Sequence, residues 1–245
     1  MSRLFNKTLT INLVTGSFVG LLLFLPAVAA ANFRPSDRQP ASDYTRSGGG
    51  RGCPNSKNQI PLTLLAPKTY IGYTASTRPT FVGYVSSSHE IEFQIFEFVS
   101  NKTVTPLSNP IKQKTSPGIF QVYLPENYPQ LTVGKKYFWQ VAISCPGDDL
   151  VERSEFMVVE IPSTIENKLL TTTNGLQKSN TYAAANLWYE ALAEALKSTN
   201  SQKLGQVGSN LVQEFAKYEL VRDKDNEELV KKRIVNLQRI ANQEK

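Results

Sequence analysis

A single histidine, two cysteines, two methionines and two tryptophans serve all 245 residues, and that scarcity removes whole chemistries. A structural zinc site takes about four Cys or His ligands, more than the three such side chains here can supply. Histidine-rich catalysis and cysteine-ligated clusters are excluded with it. A strong charge excess is also missing. The formal charge is +6, and without Arg3 and Lys7 the chain carries 25 basic against 21 acidic residues. That is no nucleic-acid footprint, which would be a concentrated basic face. Long apolar runs are absent but for Leu13 to Pro26, which Thr15, Gly16 and Ser17 interrupt. This run falls short of the ~20 apolar residues of a comfortable membrane span.

What is there begins with a positive n-region, the apolar run and small residues at Ala27-Val28-Ala29 and Ala29-Ala30-Ala31. This order predicts a cleaved signal peptide over 1–31, a secreted or periplasmic protein, and no stable membrane span after cleavage. Residues 32–59 follow as a Gly-, Pro- and Ser-rich leader in which Arg34, Arg38, Arg46, Arg51 and Lys57 outweigh Asp37 and Asp43. Its low hydrophobicity predicts a flexible basic linker that cannot bury enough apolar surface to order itself.

Over 60–162 the pattern turns to short β-rich runs separated by Gly, Pro, Ser and Asn clusters, the signature of a β-sandwich. Strands are predicted near Leu62–Leu65, Thr80–Val85, Ile91–Phe98, Lys102–Pro106, Ile119–Leu124, Tyr137–Cys145 and Glu155–Ile161. In the sixth of these, Tyr137, Trp139, Val141, Ile143 and Cys145 alternate onto one apolar face that must be core. Leu131-Thr-Val-Gly-Lys-Lys-Tyr137 resembles the turn entering the sixth strand of fibronectin type III and related immunoglobulin-like domains. There a Leu plugs the core and a Tyr hydroxyl bonds back to the main chain. The expected fold is therefore an immunoglobulin/fibronectin type III-like sandwich of about seven antiparallel strands. In Glu90 to Phe98 the apolar alternation breaks at Phe96, which predicts a bulge or an early strand end.

After Pro162 the period becomes helical, and 163–245 is predicted to hold three to five helices. Ser163-Thr-Ile-Glu166 fits a capping box, with Asn174-Gly175 closing that helix. Ser179 to Ala185 adds a helical stretch ending at Asn186, a residue that tolerates the left-handed conformation. Leu187 to Lys197 carries Trp188, Leu192 and Leu196 on one stripe. Gln202 to Leu220 and a helix from Asp225 complete the set. Tyr182-Ala-Ala-Ala-Asn-Leu-Trp-Tyr-Glu-Ala-Leu192 looks like the junction of a tetratricopeptide-type helix pair. One pair is too few for an independent solenoid, so docking on the sandwich is expected.

The order of these features resembles a cyanobacterial secreted family, the domain of unknown function 928. The resemblance rests on Arg51-Gly-Cys-Pro54, Leu62-Thr-Leu-Leu-Ala-Pro67, Arg78-Pro-Thr-Phe-Val-Gly-Tyr-Val85, Pro117-Gly-Ile119, Leu131 to Trp139, Cys145 and Leu187-Trp-Tyr-Glu-Ala-Leu192. It implies export and a sandwich with trailing helices, and it brings no activity or catalytic residue with it. Gly83, where a bulkier aromatic is expected, and the charged final helix depart from the pattern.

The candidate chemistry is thin. His89 sits in Ser86-Ser-Ser-His-Glu90, where Ser88 and Glu90, as immediate neighbours, cannot both serve it, and it reads as a loop histidine. Gly48-Gly-Gly-Arg-Gly52 lacks the ending of a phosphate loop. Asp148, Asp149 and Glu152 offer oxygen ligands for calcium, although loop acidity explains them. Asn101-Lys-Thr103 is a glycosylation sequon. Lys231-Lys-Arg233 follows Glu227 and Glu228, which i,i+4 pairing explains. No catalytic, metal or cofactor residue is assigned and no cofactor is expected. Leu131, Tyr137, Trp139 and Trp188 are the expected structural core. Cys53 and Cys145, an even pair in an exported chain, are expected to form a disulfide. The function these readings predict is a non-enzymatic interaction or scaffolding module of the bacterial cell envelope, binding an unknown envelope protein and no nucleic acid. A polysaccharide-binding envelope protein and a small carboxylate-based hydrolase are the alternatives.

Overall fold

The computed structural model describes residues 33–45, 59–100, 103–146, 149–197, 199, 202–221 and 227–245. Nine strands appear among them: β1 (Thr63–Leu64), β2 (Gly72–Thr74), β3 (Phe81–Val85), β4 (His89–Ser100), β5 (Thr103–Pro106), β6 (Ile111–Thr115), β7 (Gly118–Val122), β8 (Lys136–Ile143) and β9 (Leu150–Val158). Five helices follow: α1 (Ser163–Leu170), α2 (Gly175–Ala184), α3 (Trp188–Leu196), α4 (Gly205–Ala216) and α5 (Glu227–Gln243).

One sheet has the order β1-β3-β7 and the other β2-β9-β8-β4-β5, with β6 also pairing β4. All pairings are antiparallel except β2 with β9. The sheets meet through Phe81 of β3, whose ring lies 4.9 Å from Phe93, 5.0 Å from Trp139 and 5.5 Å from Phe156. Period-two alternation produces this layer, since odd residues of β4 and β8 share one face. Before β8 the Tyr137 hydroxyl accepts the Thr132 N–H at 3.0 Å, and Leu131 is buried. The tight return needs Gly134, which sits at φ 84°, a backbone region that glycine enters without a Cβ clash.

β2 and β6 lie outside the expected seven strands. β2 is only three residues long. β6 is polar, and its pairing is written in charge rather than hydrophobicity, with Lys112 opposite Glu92 and Lys114 opposite Glu90. No bulge explains Phe96. The β4–β8 register runs unbroken from Glu92↔Ala142 to Glu97↔Tyr137, and β4 continues to Ser100. The aromatic residues simply change face, so that Phe96 and Phe98 point away from the core layer. The register shift lies later, between Phe98 and Ser100 against β5.

Two helix boundaries also differ. Pro162 is the N-cap of α1, with no side-chain cap, so Ser163 and Glu166 form no capping box. Asn174-Gly175 opens α2 instead of closing α1: the Asn174 side chain accepts N–H bonds from Leu176 and Gln177. Asn186 takes φ 60° between α2 and α3, as expected. Small residues seat that hairpin, where the Ser179 hydroxyl donates to Ala191 O at 2.8 Å and Ala183 and Ala191 are buried.

The helices complete the core. Tyr189 of α3 enters the layer between the sheets, where its hydroxyl accepts the Trp139 indole N–H at 3.1 Å. The Trp188 indole donates to Leu65 O at 2.8 Å. Burial satisfied by these bonds explains why indoles can be sealed at 0% and 1% exposure. An ion pair forms the second joint. Arg233 of α5 donates to Glu219 and to the carbonyls of Leu64 and Ala66, while Glu219 accepts the N–H groups of Lys68 and Thr69.

The expectation that everything before Ile60 lacks a packed place fails for Phe33–Thr45. Phe33 is fully buried with its ring 4.8 Å from Trp188, and Ile71 N–H and Ala41 N–H bond across the Gln39–Ala41 and Thr69–Ile71 segments. This strap gains order from grooves the rest of the chain has already built, which composition alone does not report. The predicted signal peptide, the 48–52 glycine run, Cys53, Asn101, Asp148 and Asp225 lie outside the described residues.

Candidate functional site

The even residues of β4 and β8 place Phe96, Phe98 and Phe138 on the outer face of the six-stranded sheet. Phe96 stacks on Phe138 at 4.6 Å and 10°, and Phe98 meets Phe138 edge-on at 5.7 Å. From the strap, Tyr44 stacks on Phe138 at 5.7 Å and meets Phe98 at 5.4 Å. Two cations border the rings: Lys136 Nζ lies 4.1 Å from the Phe98 centroid and the Arg153 guanidinium 5.9 Å from that of Phe138. Gln140 orients Arg153 by accepting its Nε–H at 2.7 Å. Phe138 is buried beneath the others, Phe96 and Phe98 are half-buried, and the neighbouring Val99 is 63% exposed. The strap is fastened where the Ser42 N–H and hydroxyl both donate to the buried Glu155 carboxylate, whose other oxygen is 3.6 Å from Lys136 Nζ. Rings and cations so arranged can stack on another aromatic surface and donate hydrogen bonds to it.

The carboxylates that burial sets apart serve the fold. Glu155 holds the strap, Glu219 holds Arg233, Glu152 pairs with Lys68 at 2.5 Å and Glu244 with Lys203 at 3.0 Å. Glu190 of α3 accepts from the Thr74 hydroxyl and from the Ala75 and Ser76 N–H groups with one oxygen. Its Oε2 is shielded and has no hydrogen-bond partner among the described residues, and desolvation raises its pKa. Burial likewise raises the Tyr189 and Tyr70 hydroxyls, with Glu219 adding to the effect at Tyr70. A hydrolase reading draws no support from these roles.

Among the sequence candidates, His89 is the first residue of β4 rather than a loop residue, and its Nε2 lies 2.8 Å from the Ser87 hydroxyl. Glu152 of the acidic cluster already faces Lys68, and no group of three metal-ligating side chains occurs among the described residues. Lys231 pairs with Glu227 as the i,i+4 spacing implies, but Arg233 turns inward to the Glu219 joint. Thr103 opens β5. Cys145 packs half-buried against the core just after β8, and its expected partner Cys53 is outside the described residues. Leu131, Tyr137, Trp139 and Trp188 are all at most 2% exposed. No helix among the described residues is long and apolar enough to cross a membrane.

The outer aromatic face escaped sequence reasoning, although its signal was present in the parity of Phe96, Phe98 and Phe138. Gly83 also finds its explanation here. A Cβ at that position would lie 2.2 Å from the Phe120 ring, which reaches across from β7 to fill the expected aromatic's place.

A family model described as Domain of Unknown Function (DUF928) matches residues 46–231. The chain belongs to this family. The DUF928 match spans both sheets and α1 to α4, and it contains Phe96, Phe98 and Phe138, while Tyr44 precedes it. No curated protein and no solved structure matches the chain.

Proposed function

We propose that this DUF928 protein is an exported, non-enzymatic interaction module of the bacterial cell envelope that binds a protein partner. The observation that carries the reading is the half-buried Phe96–Phe98 surface with Lys136 and Arg153 at its border, beside the edge strand β5. Aromatic rings and arginine are the side chains most enriched at binding hot spots. Export is supported by the n-region, apolar run and small residues of the first 31 positions, and a cyanobacterial source by the family resemblance alone. A fibronectin type III-like arrangement of the two sheets is supported by the Leu131–Tyr137 corner and by the split of β1-β3-β7 from β9-β8-β4.

Capture from envelope extract with the mature protein and with Phe98→Ala tests this function. Specific proteins recovered by the wild type and lost with the variant are the expected result. Background proteins only, across several detergents, would overturn it.

A further inference from the structure

Both tryptophans are sealed in the core, and among the described residues a single aromatic side chain, Tyr123, is more than a third exposed, at 64%. Just past the end of β7, it donates its hydroxyl to Gln121 Oε1 at 2.7 Å. The bond fixes the ring across the strand surface and leaves the Gln121 amide nitrogen free to donate. Beside it lies a depression of about 180 Å³ lined by Thr80, Gln121, Tyr123, Ala193, Leu196 and Lys197 among others. Ala193 and Leu196, from α3, supply an apolar lining, and the polar side chains Thr80 and Lys197 stand at its margin. Among the described residues no carboxylate lines it, and the Lys197 ammonium is paired with Glu194 at 2.5 Å.

We propose that this depression is a saccharide subsite that takes one ring of a polysaccharide. A pyranose is amphipathic in the same sense as the site: its C–H face suits the Tyr123 ring and Leu196, and its hydroxyls suit Gln121 and Thr80. At about 180 Å³ the depression is on the scale of a single ring. The inference shares the non-enzymatic reading above but no residue with the Phe98 surface. One sugar ring on an open site gives a Kd on the order of 1 mM, and repetition along a chain raises the avidity.

Amide-shift mapping and saturation-transfer NMR of the mature protein check this against cello-, chito- and manno-oligosaccharides and a peptidoglycan disaccharide. At least one should shift resonances of Gln121, Tyr123 and Leu196. Tyr123→Ala should weaken that binding roughly tenfold or more with Tm unchanged, because the ring is exposed. Tyr123→Phe, which keeps the ring and loses the Gln121 bond, should retain most of it. Binding that survives Tyr123→Ala, shifts confined to another surface, or no response to any of the four would overturn the proposal. Tyr123→Ala leaves Phe98 intact, so protein capture by this variant separates failure of the subsite from failure of the protein-binding reading.

Discussion

The six-stranded sheet carries aromatic rings on both faces, and the two sets are held differently. On the inner face Phe93, Trp139 and Phe156 are wholly buried, packed against Phe81 and Tyr189, and the one polar atom among them, the Trp139 indole nitrogen, has a buried acceptor. On the outer face only Phe138 is buried, and its cover is Tyr44 with the rims of Phe96 and Phe98. Ring for ring the chemistry is the same. What differs is whether water is excluded on all sides, and that sets how much each ring contributes, about 1.5–3 kcal/mol for full burial and a fraction of it otherwise. The inner set fixes the fold; the outer set remains available for another surface.

The contrast is broken most directly at Trp139. Trp139→Ala should cost about 3–5 kcal/mol, read by urea denaturation, because it leaves a cavity and removes the donor from Tyr189. A loss no larger than that of an outer-face truncation would erase the distinction. The proposed Cys53–Cys145 bridge comes next. Cys145 follows the inner-facing stripe of β8, and Cys53 is nine positions beyond Tyr44, so the bond would limit how far the strap can leave the outer face. Loop entropy for this closure gives about 4–5 kcal/mol as an upper figure, reduced by native strain and residual unfolded structure. Cys145→Ser should therefore destabilise by about 2–4 kcal/mol. Two reactive thiols per chain in the denatured, unreduced exported protein would sink the bridge.

The inner face was legible in the sequence and the outer face was not, for one reason. Alternation in Tyr137 to Ile143 marks a buried face unambiguously, and the spacing of Leu131 and Tyr137 marked the corner. Phe96 and Phe98 looked like a fault in the pattern because apolar residues on the second face of a strand carry the same letters as a broken register. The strap was invisible for a related reason: Phe33 and Tyr44 are two rings in a polar segment, and only the grooves made by Trp188, Tyr218 and Phe138 give them a place. The i,i+4 pairing that explains the Lys231–Arg233 cluster does not reveal the Arg233 joint, because Glu219 lies in the segment between α4 and α5.

A smaller test lies at Gly83, on the same face of β3 as Phe81. Gly83→Ala puts a methyl against the Phe120 ring and should cost about 1–3 kcal/mol, with recovery in the double variant Gly83→Ala, Phe120→Leu. Equal stability of the single variant would show that Phe120 moves freely, contrary to a sealed inner layer.

Glu190 sharpens the comparison through pH. Its carboxyl pKa is raised by burial in the folded state, so between the unfolded value and the raised one the native protein holds the extra proton. Stability from this group therefore falls as pH rises through that window. Glu190→Gln keeps an acceptor for Thr74, Ala75 and Ser76 and removes the titration. The wild type should lose stability relative to this variant as pH rises from acid toward neutral. A difference independent of pH would show that solvent reaches Oε2.

The smallest effect is expected on the outer face, and it is the one that decides what that face is for. Tyr44 contacts Phe98 and Phe138 from a short turn, Asp43–Thr45, and the pairing of such rings is worth about 0.5–1.5 kcal/mol beyond area. Tyr44→Ala and Phe98→Ala should each cost about 1 kcal/mol, with a coupling of about 0.5 kcal/mol or more in a double-mutant cycle. Their effects on capture should then part. Phe98→Ala removes the binding ring, whereas Tyr44→Ala uncovers Phe98 and Phe138 and should leave recovery of the partner equal or greater. If both variants lose the partner, Tyr44 is itself part of the contact surface. If Phe98→Ala is as costly as Trp139→Ala, the outer rings belong to the core after all, and the partner must be sought elsewhere on the molecule.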